Sequence, residues 1–172
     1  MKYLNLISLL VLAGCSTAPK YEKTVDRVEI EKFMGPWYVM AGRFTPFETE
    51  VHNGIETYTW NAKENRIDIS FTFNKGSLGG TKKSYPQKGW IHNSITNAHW
   101  KVSPFWPLKF DYLIVDMASD YSWTVIGVPD QDYVWIMVRD YKISSAKIDE
   151  IIKSAASRGY NMNDLVFVQH KH

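Results

Sequence analysis

The groups in this chain with the widest chemical reach are five histidines and one cysteine. His52, His92, His99, His170 and His172 show no pair at helical metal-ligand spacing, so no metal site is expected. His170 and His172 sit in the tail and read as solvent-exposed. No Gly-x-Ser-x-Gly elbow and no Gly-rich phosphate loop occurs, which removes the usual signatures of acyl and nucleotide chemistry. Cys15 is the single thiol, so an internal disulfide is ruled out. A buried Tyr or Glu is what is left for acid–base work. The expectation is a binding protein with no catalytic residue and no cofactor.

The binding chemistry is carried by rings. The 172 residues include seven Trp, ten Tyr and eight Phe, a heavy aromatic load for one domain. Net charge is only +2, which gives no reason to expect nucleic acid as a partner.

The elements that must hold these rings follow from periodicity. Residues 66–73 alternate strictly: Ile67, Ile69, Phe71 and Phe73 against Arg66, Asp68, Ser70 and Thr72. That is a strand with one apolar and one wet face. Further strands are read over 37–44, 55–60, 85–92, 98–102, 110–117, 122–127 and 133–139, joined by short polar or Pro-containing turns. A short helical turn over 28–33 precedes the first strand, and 74–83 reads as a mobile basic loop. Then the period changes: Ile148, Ile151, Ile152 and Ala155 share one helical face. A helix over 144–158, capped by Ser144 or Ser145 and ended by Gly159, is followed by a short strand over 165–169. Eight strands with short turns and one outer helix predict an all-β, eight-stranded antiparallel up-and-down barrel, wide enough for one small ligand.

Two motif sets carry family resemblances. Gly35-Pro36-Trp37 opens the first strand, Asp116 precedes Ser119-Asp120-Tyr121, and Arg139 closes the eighth strand. In that order they resemble the three lipocalin motifs, with Ser119 where Thr is usual. The N-terminus resembles a bacterial lipoprotein signal: Lys2, an apolar run too short to span a bilayer, then Leu12-Ala13-Gly14-Cys15. Together with the run from Pro129 to Ile136, the chain is similar to bacterial lipocalins of the Blc type. The resemblance implies a signal peptide over 1–14, a lipidated Cys15 with a polar tether over 15–24, and a barrel domain over 25–172. It implies an anchor in the outer membrane, facing the periplasm. It also implies fatty acid or lysophospholipid cargo, with a role in membrane maintenance under stress. A homodimer enters by resemblance only. Another small hydrophobe or pigment as cargo stays open, as does an envelope scaffold with an incidental pocket.

Alternation assigns the cup lining to Tyr58, Trp60, Ile69, Phe71, Phe73, Gly89, Trp100, Tyr112, Ile114 and Trp135. Gly89 is read as leaving space for a ligand; Glu56 shares the face of Tyr58 and Trp60 and is read as facing the mouth and water, with a place in the pocket left open. In the family the Arg139 guanidinium covers Trp37, so the pair is expected to plug the closed end. Phe44, Phe47, Lys75, Lys82, Lys83, Phe105 and Trp106 should gather at the other rim, where apolar tips beside lysines suit a lipid surface or an anionic head group.

Overall fold

The computed structural model describes residues 20–171. The expected signal peptide, Cys15, the first part of the tether and His172 lie outside the described residues.

A short helix, α1 (Ile30–Phe33), leads into eight strands: β1 (Gly35–Arg43), β2 (Val51–Asn61), β3 (Arg66–Lys75), β4 (Thr81–Ile91), β5 (His99–Ser103), β6 (Phe110–Met117), β7 (Trp123–Gly127) and β8 (Val134–Val138). A second helix, α2 (Ser145–Ser157), and a two-residue strand, β9 (Val166–Phe167), complete the chain. Each strand pairs antiparallel with the next, and β1 closes the ring by pairing with both β2 and β8. It can serve two partners because it bends at a bulge between Val39 and Ala41. Residues Gly35 to Tyr38 face β2, and Tyr38 to Arg43 face β8. Strand β9 lies on the outside of β1 at Ala41 and Gly42.

Closure sorts side chains into two apolar clusters. One lies inside the barrel, and the other between the wall and α2. Helix α2 starts where the Ser144 Oγ accepts from the Lys147 amide at 3.2 Å, which satisfies one of the free N–H groups of the first turn. It buries Ile148, Ile151 and Ala155 against Leu113, Val115, Val125 and Ile136. The chain leaves the helix through Gly159 at φ +89°, a conformation that favours glycine.

Past the helix, the Tyr160 ring packs against Gly127, and its hydroxyl donates to the Tyr133 carbonyl at 2.7 Å and accepts from the Val128 amide at 2.8 Å. A Cβ on Gly127 would stand 2.4 Å from that ring. The Gly127→Ala variant is therefore expected to lose about 1–3 kcal/mol of stability by overpacking, read as a lower urea midpoint.

The N-terminal segment runs down the outer wall. The Tyr21 amide donates to Pro129 in the turn between β7 and β8, Val25 to Ile114, and Val28 to Thr96 between β4 and β5, at 2.8, 2.9 and 2.7 Å. The described chain thus enters beside the open end and reaches the closed end before α1.

Several sequence-based boundaries move. Strand β2 begins at Val51, four residues before the expected start at Ile55. The expected basic loop over 74–83 is mostly hairpin, since Asn74 pairs with Lys82 and Lys75 with Thr81, leaving 76–80 as the loop. His170 is not a free tail residue: its Nε2 donates to the Val39 carbonyl at 2.8 Å and its ring packs edge-on against Tyr38.

Candidate functional site

The closed end is built first. The Arg139 guanidinium lies 3.7 Å from the centroid of the Trp37 ring. Its nitrogens donate to the carbonyls of Pro36, Lys32, Phe33 and Met34 at 2.7, 2.8, 3.0 and 2.9 Å. These are the free carbonyl groups of α1 and of the turn into β1, so one cation satisfies a helix end and caps an indole. Trp37 Nε1 donates to the Phe33 carbonyl at 2.8 Å. The second motif works at the same end: the Tyr121 hydroxyl accepts from the Glu29 amide at 2.8 Å, and Asp116 Oδ2 accepts from Ser154 of α2 at 2.6 Å.

Above this plug, Phe33 rises from α1 into the barrel. It meets Trp37, Tyr58 and Trp100 at centroid distances of 5.1, 5.3 and 5.2 Å, and Trp100 stacks on Tyr112 at 5.2 Å. Tyr58, Trp100 and Tyr112 therefore form a ring-packed floor. Trp60, paired with Ile67, is partly buried against the interior cluster at the lower end of β2. Ile69, Phe71, Phe73, Ile114 and Trp135 belong to the same interior cluster. Phe71 and Phe73 stack at 5.0 Å, and Phe73 meets Tyr85 at 5.6 Å near the mouth. Gly89 also faces inward, but the space it frees is taken: a Cβ there would lie 3.2 Å from Ile69 Cδ1. Its lack of a side chain makes room for Ile69, which corrects the reading of Gly89 as room for a ligand.

Glu56 corrects a second expectation. It is 6% exposed and lies inside the barrel, away from the water at the mouth. The Tyr58 hydroxyl donates to its carboxyl. Tyr112 in turn donates to Tyr58 across 2.6 Å, since the Tyr58 proton is already committed. Burial raises the Glu56 pKa to about 7; the Tyr58 hydrogen bond opposes the shift and the charge of Glu48 adds to it. Burial and then the Glu56 charge push both tyrosines upward as well.

Sequence reasoning missed Glu48. It sits in the turn between β1 and β2, buried, with its Oε2 accepting from the Thr45 amide and hydroxyl at 3.1 and 2.9 Å. The signal was present as Thr45-x-x-Glu48, the spacing of a capping box. Burial raises its pKa, and the Thr45 bonds work against that. The Trp135 indole also acts on Glu48, yet its Nε1 is buried with no partner in hydrogen-bond geometry.

At the mouth, Phe47 and Phe105 touch at 5.4 Å between centroids, so the β1–β2 and β5–β6 connections meet at one rim as expected. Phe44 turns inward against the core. Trp106 packs on the outer wall beside Trp90 at 6.4 Å. Grooves of about 390 and 540 Å³ lie on the outer wall, bounded by groups such as His99 and Asp111 in one and Thr57, Asp68 and Lys88 in the other. Among the described residues, no three His, Cys, Asp or Glu side chains converge as a metal site would need.

A model of the Lipocalin-like domain family matches residues 28–170. The outer membrane lipoprotein Blc of Vibrio cholerae is 27% identical over 172 residues, covering 98% of each chain. Its namesake in Escherichia coli is 25% identical over 161 residues, covering 94% of this chain and 90% of the other. Among solved structures, insecticyanin from the tobacco hornworm Manduca sexta has the same fold, with a TM-score of 0.65 at 14% identity over 90% of this chain and 89% of the other.

Proposed function

The chain belongs to the lipocalin family, and on that premise we propose that it is an outer-membrane lipoprotein, anchored through Cys15 on the periplasmic side, that carries lipid. Its cargo is a fatty acid or lysophospholipid, held reversibly for membrane maintenance under stress. The observation that supports this is the interior itself: a floor sealed by Arg139 and Trp37 beneath an apolar wall of Phe71, Phe73, Val102 and Ile114, with Phe47 and Phe105 in contact at the other end.

Energetics favour long chains. Burying each methylene contributes about 0.8 kcal/mol, while association costs about 4–15 kcal/mol. Roughly fourteen methylenes, on the order of 11 kcal/mol gross, bring useful affinity within reach without a strong polar contact. Charge sets the direction of entry. Among the described residues no lysine or arginine side chain is fully buried, so the interior offers an anionic head no enclosed cation, and Glu56 and Glu48 would repel it wherever they ionise. Lys83 pairs with Phe73 and so shares its inward face at the top of the wall. A fatty anion therefore enters tail first and leaves its head at the lysine.

The test is displacement of an environment-sensitive fatty probe by oleate or by a lysophospholipid; a probe that neither ligand displaces would end this reading. Gln87 faces inward beside Ile69 in the wall. The Gln87→Trp variant, which fills that level, is expected to weaken probe binding at least tenfold with little change in the melting temperature.

A further inference from the structure

We propose that the barrel docks mouth-down on the bilayer that carries its own anchor, with the rim inserted among anionic lipids. Exposed large apolar side chains concentrate at this one end. Phe47, Phe105, Leu108 and Phe110 are 65, 51, 57 and 53% exposed, and Trp106, 71% exposed, leads from them onto the outer wall beside Trp90. A group of exposed apolar side chains at one end marks an interaction surface. The Phe47–Phe105 contact ties two of the contributing loops together.

Charge complementarity selects a membrane as the occupant. Lys75, Lys82 and Lys83 lie at the mouth end of the β3–β4 hairpin. Lys109 lies 4.2 Å from the Trp90 centroid and 5.7 Å from that of Trp106. Asp130 and Asp132 stand on the far side of the rim, in the β7–β8 turn, where Asp130 is paired with Lys20 at 3.6 Å. Aromatic tips flanked by lysines match an interface of anionic head groups over acyl chains.

The path of the chain supplies an independent argument. Tyr21 is hydrogen-bonded to Pro129 at the mouth end, and Cys15 precedes Lys20 by five residues. Extended chain covers at most about 3.6 Å per residue, so an anchor on Cys15 stays within roughly 18 Å of the rim. The tether thus emerges at the same end of the barrel as the patch, on its β7–β8 side, and keeps that end near the bilayer. This second argument rests on the proposed lipidation of Cys15; the patch and its charges do not.

The experiment places a fluorophore on a new thiol in the full chain, since an acylated Cys15 leaves no other. Phe105→Cys reports on the rim, Leu108→Cys serves if the first variant does not fold, and Ile95→Cys, 80% exposed in the turn between β4 and β5, reports on the closed end. The protein is reconstituted in vesicles of phosphatidylethanolamine and phosphatidylglycerol with a spin-labelled lipid as quencher. Rim labels are expected to be quenched several-fold more than the Ile95 label. The difference should shrink when phosphatidylcholine replaces phosphatidylglycerol or when Lys82 and Lys83 become Glu. Equal quenching at both ends overturns the proposal, as does a rim label shielded in proportion to protein concentration without lipid, which would identify a second copy on the patch. Mass spectrometry of the same sample reads acylation of Cys15 separately. Rim quenching in an unacylated chain supports docking and refutes only the anchor.

Discussion

The Arg139→Ala variant is expected to lose about 3–5 kcal/mol of stability, enough to leave a barrel of ordinary stability only marginally folded. The guanidinium serves four carbonyl oxygens and one indole face at once. A hydrogen bond to a charged group contributes about 1.5–3 kcal/mol, and a cation over an indole about 0.5–2 kcal/mol. These contributions are not additive, because one side chain makes them all and water reaches the outer two carbonyls after its removal. The loss is still large, since the partly buried Met34 carbonyl loses its side-chain donor and the Phe33 carbonyl keeps only the Trp37 indole N–H. Lysine should not rescue it: one ammonium cannot lie flat on the ring and span the carbonyl fan. Urea unfolding of the wild type, Arg139→Lys and Arg139→Ala measures this directly. A loss below about 1 kcal/mol for Arg139→Ala would show that the cation is ornamental.

The second large effect concerns pH. Glu56 holds its proton to about pH 7 in the folded barrel, because burial disfavours its charge. An unfolded glutamate ionises near its ordinary value of 4.5. Between those values the folded state binds more protons than the unfolded state, so stability falls as pH rises through that window and levels off above it. The full change is on the order of 3 kcal/mol. Glu48, also shifted upward by burial, acts in the same direction. Glu56→Gln keeps an oxygen for the Tyr58 hydroxyl but removes the ionisation. The variant should therefore be flatter with pH and more stable than the wild type at pH 8, by about 2–3 kcal/mol. Urea midpoints across pH 4.5 to 8 test this; parallel curves for the two proteins would refute the assignment.

Much of the barrel was legible because strand period and turn chemistry agree along most of the chain. The alternation of 66–73 placed Ile67, Ile69, Phe71 and Phe73 inside correctly. Gly35, Trp37 and Arg139 located the closed end before any distance was known. What was not legible depends on contacts between distant elements. The start of β4 looked like a loop because Lys82, Lys83 and Ser84 carry no apolar side chain on either face, and their strand is fixed by pairing with Asn74, Phe73 and Thr72. Gly89 looked like empty space because alternation shows which way a position faces, not which neighbour fills it. Glu56 looked like a mouth residue because an unpaired carboxyl belongs in water; its partner Tyr58 is in turn bonded to Tyr112, which comes from β6, 56 positions along the chain from Glu56. The entry of the chain at the mouth end could not be read from residues 20–28 at all, since it is fixed by hydrogen bonds to Pro129, Ile114 and Thr96.

The central claim is that the cup above the Tyr58–Trp100–Tyr112 floor takes an acyl chain from the membrane. Native mass spectrometry of the protein released from membranes in mild detergent tests it most directly. The account predicts one added mass per barrel matching a fatty acid or lysophospholipid, separate from the acyl groups on Cys15, and exchanged by excess oleate. A barrel that carries nothing, and takes up nothing from lipid vesicles, would contradict it.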